Sequence, residues 1–367
     1  MRRVLVCLCA AGRLAAQGPT GGIESGARTG IVFDSYSFGS GYAFDHVVEW
    51  TVPVSLSHRL GPHFTVDLSS AYAHAAAATT SGSLEASGAT DTDVRISWAA
   101  ASGHVIVSVA GALPTGKKAV DSSAVPLLSA LATELLNFTT PSFGTGGGVT
   151  GGFATAVKLG ERWAGGMGGS YRWRARYTPV AGRGDLAPGG EGRVRVGAEG
   201  PVGAGGYFRG ALMYATSGPD TLGAGSRSVS GPRFLFYSGL NFPAGRSSLS
   251  LYAYDRYRLR PHGYDSTVVQ VPRGNVLALG ARLERPLSPV LSLAPNVEFR
   301  QELAGPATGR LVLLGWLVRP GVDLRYRASG TLTVLVQGLA AFGQLRDGGR
   351  SVSLVGPRAV VLLTWAR

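Results

Sequence analysis

Arg172, Arg174 and Arg176, then Arg193 and Arg195, Arg233, and Arg256 with Arg258 are the residues of this chain best equipped for chemistry. A guanidinium is always charged, and its planar fork matches carboxylate and phosphate. Three of these groups are spaced by two, and in a strand residues two apart share a face. Each stretch would therefore present its arginines on one surface. A wall of such surfaces around water concentrates anions through focused fields. The same charges also suit a purely structural role, filling a polar interior in pairs with Asp93, Glu199 and Asp255, or binding lipopolysaccharide.

Catalytic chemistry finds little in the sequence. His46, His58, His63, His74, His104 and His262 are scattered without zinc-motif spacing. Asp45-His46, or His262 with Asp265, could meet near a rim, but neither pair supplies nucleophile, base and orienter together. The glycines between Gly144 and Gly152 precede no Gly-Lys-Ser/Thr, so they form no phosphate loop. The reading is a non-enzyme without metal or cofactor. Formal charge is +13, yet the Lys and Arg residues are dispersed and no recognition motif accompanies them, which argues against nucleic acid.

The elements that would carry the arginines repeat a single pattern. Met167, Gly169, Tyr171, Trp173, Ala175 and Tyr177 alternate with Ser170, Arg172, Arg174 and Arg176. Val48, Trp50, Val52, Val54 and Leu56 alternate with Glu49, Thr51, Ser55 and Ser57. Leu291, Leu293, Val297 and Phe299 alternate with Ser292, Asn296, Glu298 and Arg300. Repeated from end to end, this is the signature of a membrane barrel, apolar toward lipid and polar toward the lumen. Charged residues make up only 16% of the 367, yet outside the start no apolar run reaches the roughly 18 residues a spanning helix needs. No linker or change of composition divides the chain.

Residues 1–16 read as a secretory signal: Arg2 and Arg3, an apolar stretch from Val4 to Gly12, and Leu14-Ala15-Ala16 before Gln17. Its removal would take both cysteines, Cys7 and Cys9, and three arginines with no acid, lowering the formal charge from +13 to +10. The remainder, 17–367, would be one outer-membrane barrel.

Turn residues divide that remainder. Short connections are expected near Gly61-Pro62, Ser102-Gly103, Gly160-Glu161, 200–203, 243–245, 286–289 and Ser329-Gly330. Longer ones are expected near 76–90, 114–146, 179–191, 217–230, 260–273, 303–309 and 344–350, with a brief one at 39–43. The fold class is thus all-β: a single antiparallel up-and-down transmembrane barrel of about sixteen strands, with twelve or fourteen also compatible. Both chain ends would be periplasmic, in the bacterial outer membrane. Lipid offers backbone groups no partner, so the sheet must close. Ser55, Ser57, Ser69, Ser97 and Ser108 on the inner parity leave space inside.

One stretch carries a family likeness. Ala112-Leu113-Pro114-Thr115-Gly116-Lys117 ends an apolar strand, Phe143-Gly144-Thr145-Gly146-Gly147 opens the next hairpin after a long insert, and Ser87-Gly88-Ala89-Thr90-Asp91-Thr92-Asp93 lies upstream. Over roughly residues 45–180 the chain resembles the outer-membrane transporters of the phenol meta-pathway family, related to FadL-type channels for hydrophobic compounds. The resemblance implies uptake of small hydrophobic or aromatic molecules. FadL-type proteins plug the lumen with an N-terminal segment, and here only a short one precedes the first strand. Either the lumen is open or another segment blocks it.

The long insert supplies a candidate. Leu128, Leu131, Leu135 and Phe138 fall at helical spacing between Val125 and Phe138, with Ser122 or Ser123 as N-cap and Pro126 in the first turn. An apolar helix on an external loop must bury its face somewhere. It would be a lid or constriction at the mouth, or a helix packed on the rim for stability alone. The expectation is a passive channel for small hydrophobic or aromatic solutes, carboxylated ones among them, in contact with outer-membrane lipid and lipopolysaccharide. The alternative is a barrel that anchors a surface complex without transporting. The sequence does not set the oligomeric state.

Overall fold

The computed structural model describes residues 25–80, 82–100, 103–203, 205–223, 225–261, 268–305, 309–347 and 349–366. The expected signal over 1–16, the rest of the segment before the first strand, and His262 with Asp265 lie outside them.

Alternation becomes register along the chain. Strands β1 (Ser25–Phe38), β2 (His46–Leu60) and β3 (Phe64–Thr79) pair antiparallel in sequence order. Strand β4 comes in two pieces, Gly82–Ala89 and Thr92–Ala99, both paired with β3. Then follow β5 (Val105–Leu113), β6 (Gly148–Leu159), β7 (Trp163–Arg174), β8 (Glu191–Val202), β9 (Gly206–Ser217) and β10 (Arg233–Ala244). The last six are β11 (Ser247–Arg258), β12 (Arg273–Pro286), β13 (Leu291–Gly305), β14 (Val312–Arg327), β15 (Leu332–Asp347) and β16 (Arg350–Ala366). The sheet closes where β16 pairs antiparallel with β1, from Gly26 opposite Ala366 to Phe38 opposite Leu354. The result is a closed barrel of sixteen strands.

Closure leaves two faces with opposite chemistry. Met167, Tyr171 and Trp173 point outward and stay exposed, as do Val107, Val109, Phe153, Val194 and Val196. Lipid is the solvent that suits such a belt, and the closed barrel leaves it no unpaired strand edge. This is the architecture of the bacterial outer membrane. No helix is long and apolar enough to cross a membrane, among the described residues. Glu49, Thr51, Ser55 and Ser57 point inward, where Ser57 donates to Asp67 Oδ1 at 2.8 Å.

Two expected loops are instead strand. The connections near 76–90 and 344–350 are hairpins whose strands run almost to their tips, Thr79 opposite Gly82 and Asp347 opposite Arg350. In the first of them the inner parity carries alanine, as at Ala73, Ala75 and Ala77, so the hydrophobic contrast fades while the ladder continues. The long connections add a small four-stranded sheet not anticipated from sequence. It comprises Leu186–Ala187, Asp220–Leu222, Ser226–Val229 and Val269–Gln270.

Candidate functional site

The connection from Pro114 to Gly147 folds into the barrel. A 3-10 turn, Ser122–Ala124, leads into helix α1 (Val125–Leu131), with Pro126 in its first turn as expected. The helix ends at Leu131, seven residues short of the expected Phe138. No side chain caps it, so the expected Ser122 or Ser123 cap is absent; those serines belong to the preceding 3-10 turn. Leu127 is fully buried, whereas Leu128 is only partly so. Leu131, Leu135 and Phe138 are buried as expected, but turns rather than helical spacing carry the last two inward.

Their seat is built from both ends of the chain. Leu127, Leu131, Leu135, Leu136 and Phe138 join one apolar cluster with the inward residues Tyr36, Val47, Ala73, Ala75, Leu317, Ala341, Leu345 and Leu354. The alanines of β3 are small because α1 lies against that strand. Tyr36 meets Phe138 edge to face, with centroids 5.3 Å apart. Each buried leucine contributes about 1.5–3 kcal/mol relative to exposure.

Residues 132–140 pose a harder problem, because irregular backbone inside a barrel has no ladder to satisfy it. Charged side chains of the wall do so. Arg300 Nη1 donates to the Glu134 carbonyl at 2.8 Å, and Arg319 Nη2 donates to the carbonyls of Leu135, at 3.4 Å, and Leu136. The Tyr36 hydroxyl donates to the Leu136 carbonyl at 2.9 Å and accepts from Arg319 at 2.7 Å. Arg358 Nη1 reaches the Asn137 carbonyl at 3.3 Å. Asn137 itself adopts φ 56°, the left-handed conformation asparagine tolerates. In the other sense, Leu135 N–H donates to Glu302 at 3.1 Å and Thr140 N–H to Glu49 at 2.7 Å. Glu298 holds both Arg300 and Arg319, at 3.2 and 3.3 Å, and Asp34 holds Arg358 at 3.1 Å.

The two ends of the insert are tied at one carboxylate. Asp91 sits in the break of β4 and accepts from Gly116 N–H at 3.1 Å, from Thr145 N–H at 2.6 Å and from the Thr145 hydroxyl at 2.8 Å. Thr115 joins the same node, its hydroxyl accepting from Thr92 N–H at 2.9 Å. Chain crossing here is close enough to demand glycine. A Cβ on Gly116 would lie 2.3 Å from the Phe143 carbonyl, and one on Gly144 would lie 2.5 Å from that of Lys117. The three motif segments noted in the sequence thus meet in space.

Seven of the eight arginines stand on β7, β8, β10 and β11, toward the end with the long connections. On β7, Arg172 and Arg174 alternate with the exposed Tyr171 and Trp173, so they face the lumen. Arg193 and Arg195 do the same on β8, and Arg233 on β10. Arg176 differs: β7 ends at Arg174, and Arg176 is an exposed loop residue, because the chain turns away there to bridge Tyr177 with Leu186. The partners also differ from those expected. Arg193 and Arg233 share Glu191. Arg174 donates to the Gly189 carbonyl at 2.6 Å and lies 3.5 Å from Asp220. Arg258 donates to the Pro272 carbonyl at 2.8 Å, and Arg256 pairs with Glu134 of the insert. Glu199 instead holds Arg209 at 2.8 Å. Asp255 falls on the outward parity, where it accepts from Asn275 at 2.5 Å.

Sequence reasoning missed the groups that seat the insert: Asp34, Tyr36, Glu49, Asp91, Arg300, Glu302, Arg319 and Arg358. Glu49 and Arg300 were visible as inward charges, a signal that something polar faces them. Among the described residues no group of three His, Cys, Asp or Glu side chains could hold a metal. His46 lies on the outer parity, Nε2 2.7 Å from Ser35 Oγ.

No family model matches the chain. Nor does any curated protein match it, so the likeness to the phenol meta-pathway transporters rests on its motif residues alone. Some solved structures are similar in fold. A bacterial polysaccharide outer-membrane secretin is 7% identical, with TM-score 0.46 over 94% of this chain and all of that one. OmpT of Vibrio cholerae is 8% identical, with TM-score 0.45 over 92% and 97%. The toluene transporter TodX of P. putida is 10% identical, with TM-score 0.41 over 95% and 91%. At these identities nothing about the lumen follows from them.

Proposed function

We propose that the protein is an outer-membrane channel for passive uptake of small hydrophobic or aromatic compounds, carboxylated ones among them. One observation carries this reading: an apolar insert occupies one side of the lumen, against β1–β3 and β14–β16, while lumen-facing arginines line the other side on β7–β11. A solute passing between the two is confined by the insert on one flank, whose apolar side chains seat it against the wall, and meets cations on the other. Leu128, Leu131, Leu135 and Phe138 belong to the constriction, and Arg172, Arg174, Arg193, Arg195, Arg233, Arg256 and Arg258 to the basic flank. Arg176 would act at the outer mouth.

Reversal potential under a KCl gradient, with uptake of benzoate and toluene by proteoliposomes, tests this reading. Anion preference and entry of both solutes support it. A folded barrel that passes neither ions nor solutes opposes it.

The dense hydrogen bonding of residues 134–140 favours a second reading, a permanently filled barrel that anchors a surface complex. Silence in both assays, with the fold intact, is its expected result.

A further inference from the structure

Glu134 is the only acidic residue between Asp121 and Gly147. Its carboxylate pairs with Arg256 of β11, with side-chain exposures of 32% and 28%, so water reaches both groups. The position of Glu134 does not depend on this pair alone. Arg300 holds its carbonyl, and Glu302 holds the N–H of the next residue. The insert therefore delivers its single carboxylate to one chosen arginine.

The surroundings of that arginine are specific. In register with Arg256 stand Leu235 on β10 and Val276 on β12, both inward and both buried. Arg258 and Arg300 add positive charge nearby, and Glu302, already accepting from Leu135 N–H, adds one negative charge. A guanidinium between aliphatic neighbours needs an anion. A small hydrated ion gains nothing from the flanking side chains, whereas an apolar body beside the carboxylate buries surface against them.

We infer that Arg256, flanked by Leu235 and Val276, is a subsite for an apolar monocarboxylate, and that Glu134 occupies it as a built-in competitor. An aromatic or branched-chain acid displaces the Glu134 carboxylate from Arg256. Displacement removes one tie between the insert and β11, so the incoming solute loosens the segment that narrows its path. The inference rests on the channel reading for its purpose, but the site itself is a binding equilibrium and can be tested without transport.

The test is titration of the full-length protein in detergent with benzoate, and with benzyl alcohol as the uncharged control. E134Q binds benzoate about three- to tenfold more tightly than wild type, the range expected when a partly exposed competing ion pair is removed. Benzyl alcohol binds both equally. R256Q loses benzoate binding, and R256K, which keeps the charge but not the fork, binds it more weakly than wild type. Equal benzoate affinity in wild type and E134Q overturns the inference, as does full affinity in folded R256Q or R256K. Tightening in E134Q with no uptake by any variant keeps the subsite and removes the channel reading. Uptake of toluene and benzoate with no tightening does the reverse.

Discussion

Asp91 grips Thr145 twice, accepting from its backbone N–H at 2.6 Å and its hydroxyl at 2.8 Å, across 54 residues of sequence. With the bond from Gly116, the same carboxylate closes the base of the insert. A long segment is thereby held over the lumen by a node in the wall, leaving its middle to be seated by other groups.

Asp91→Ala removes all three bonds at once. Hydrogen bonds to a charged group contribute about 1.5–3 kcal/mol each, and part of that is recovered from water at this half-buried site. The expected result is a net loss of about 2–4 kcal/mol in the anchoring of the insert. Limited proteolysis should cut between 114 and 147 in the variant while the barrel keeps its resistance to detergent unfolding. Unchanged protection of the insert would refute the clamp.

Gly144→Ala tests the close crossing without touching a hydrogen-bonding group. The new methyl meets the Lys117 carbonyl, which is backbone and cannot rotate aside, so the variant should lose about 1–3 kcal/mol by overpacking. The same proteolytic cut should appear. A stable, protected variant would mean that the crossing is looser than the structure has it.

Arg319→Met removes a buried guanidinium from Glu298, Tyr36 and the Leu136 carbonyl. Breaking one side of a buried charge network costs about 3–5 kcal/mol. Chemical unfolding followed by tryptophan fluorescence should register the loss. A loss under 1 kcal/mol would show that Arg300 alone suffices to hold Glu298.

Leu127→Ala and Leu128→Ala separate the observed helix face from the one sequence spacing suggests. Leu127 is fully buried, and truncating a buried leucine costs about 2–5 kcal/mol. Leu128 is only partly buried and should cost clearly less. Equal losses would place the helix at a different rotation.

The wall was legible because it obeys one period. Trp50 and Tyr171 face out and Glu49 and Arg172 face in, as parity requires, and turn residues led to sixteen strands. What parity cannot show is where the lumen is filled. Leu135 and Phe138 sit at helical spacing, yet only the turn after Leu131 brings them to Leu317 and Tyr36. Besides Glu298 and Tyr36 for Arg319 and Asp34 for Arg358, these arginines hold backbone carbonyls more than 180 residues away. Carbonyls carry no residue identity, so no side-chain pattern announces them. Glu191 was overlooked for a related reason: it begins β8 where a loop was expected, and it holds Arg193 and Arg233 together.

In the proposed channel the insert narrows the lumen. Single-channel conductance of the refolded protein, compared with a variant lacking 122–140, tests it most directly, because Gly116, Thr145 and Asp91 remain to hold the wall. A stable conductance in the deletion variant well above that of the intact protein is the expected result. Identical conductance in two folded barrels would contradict the account.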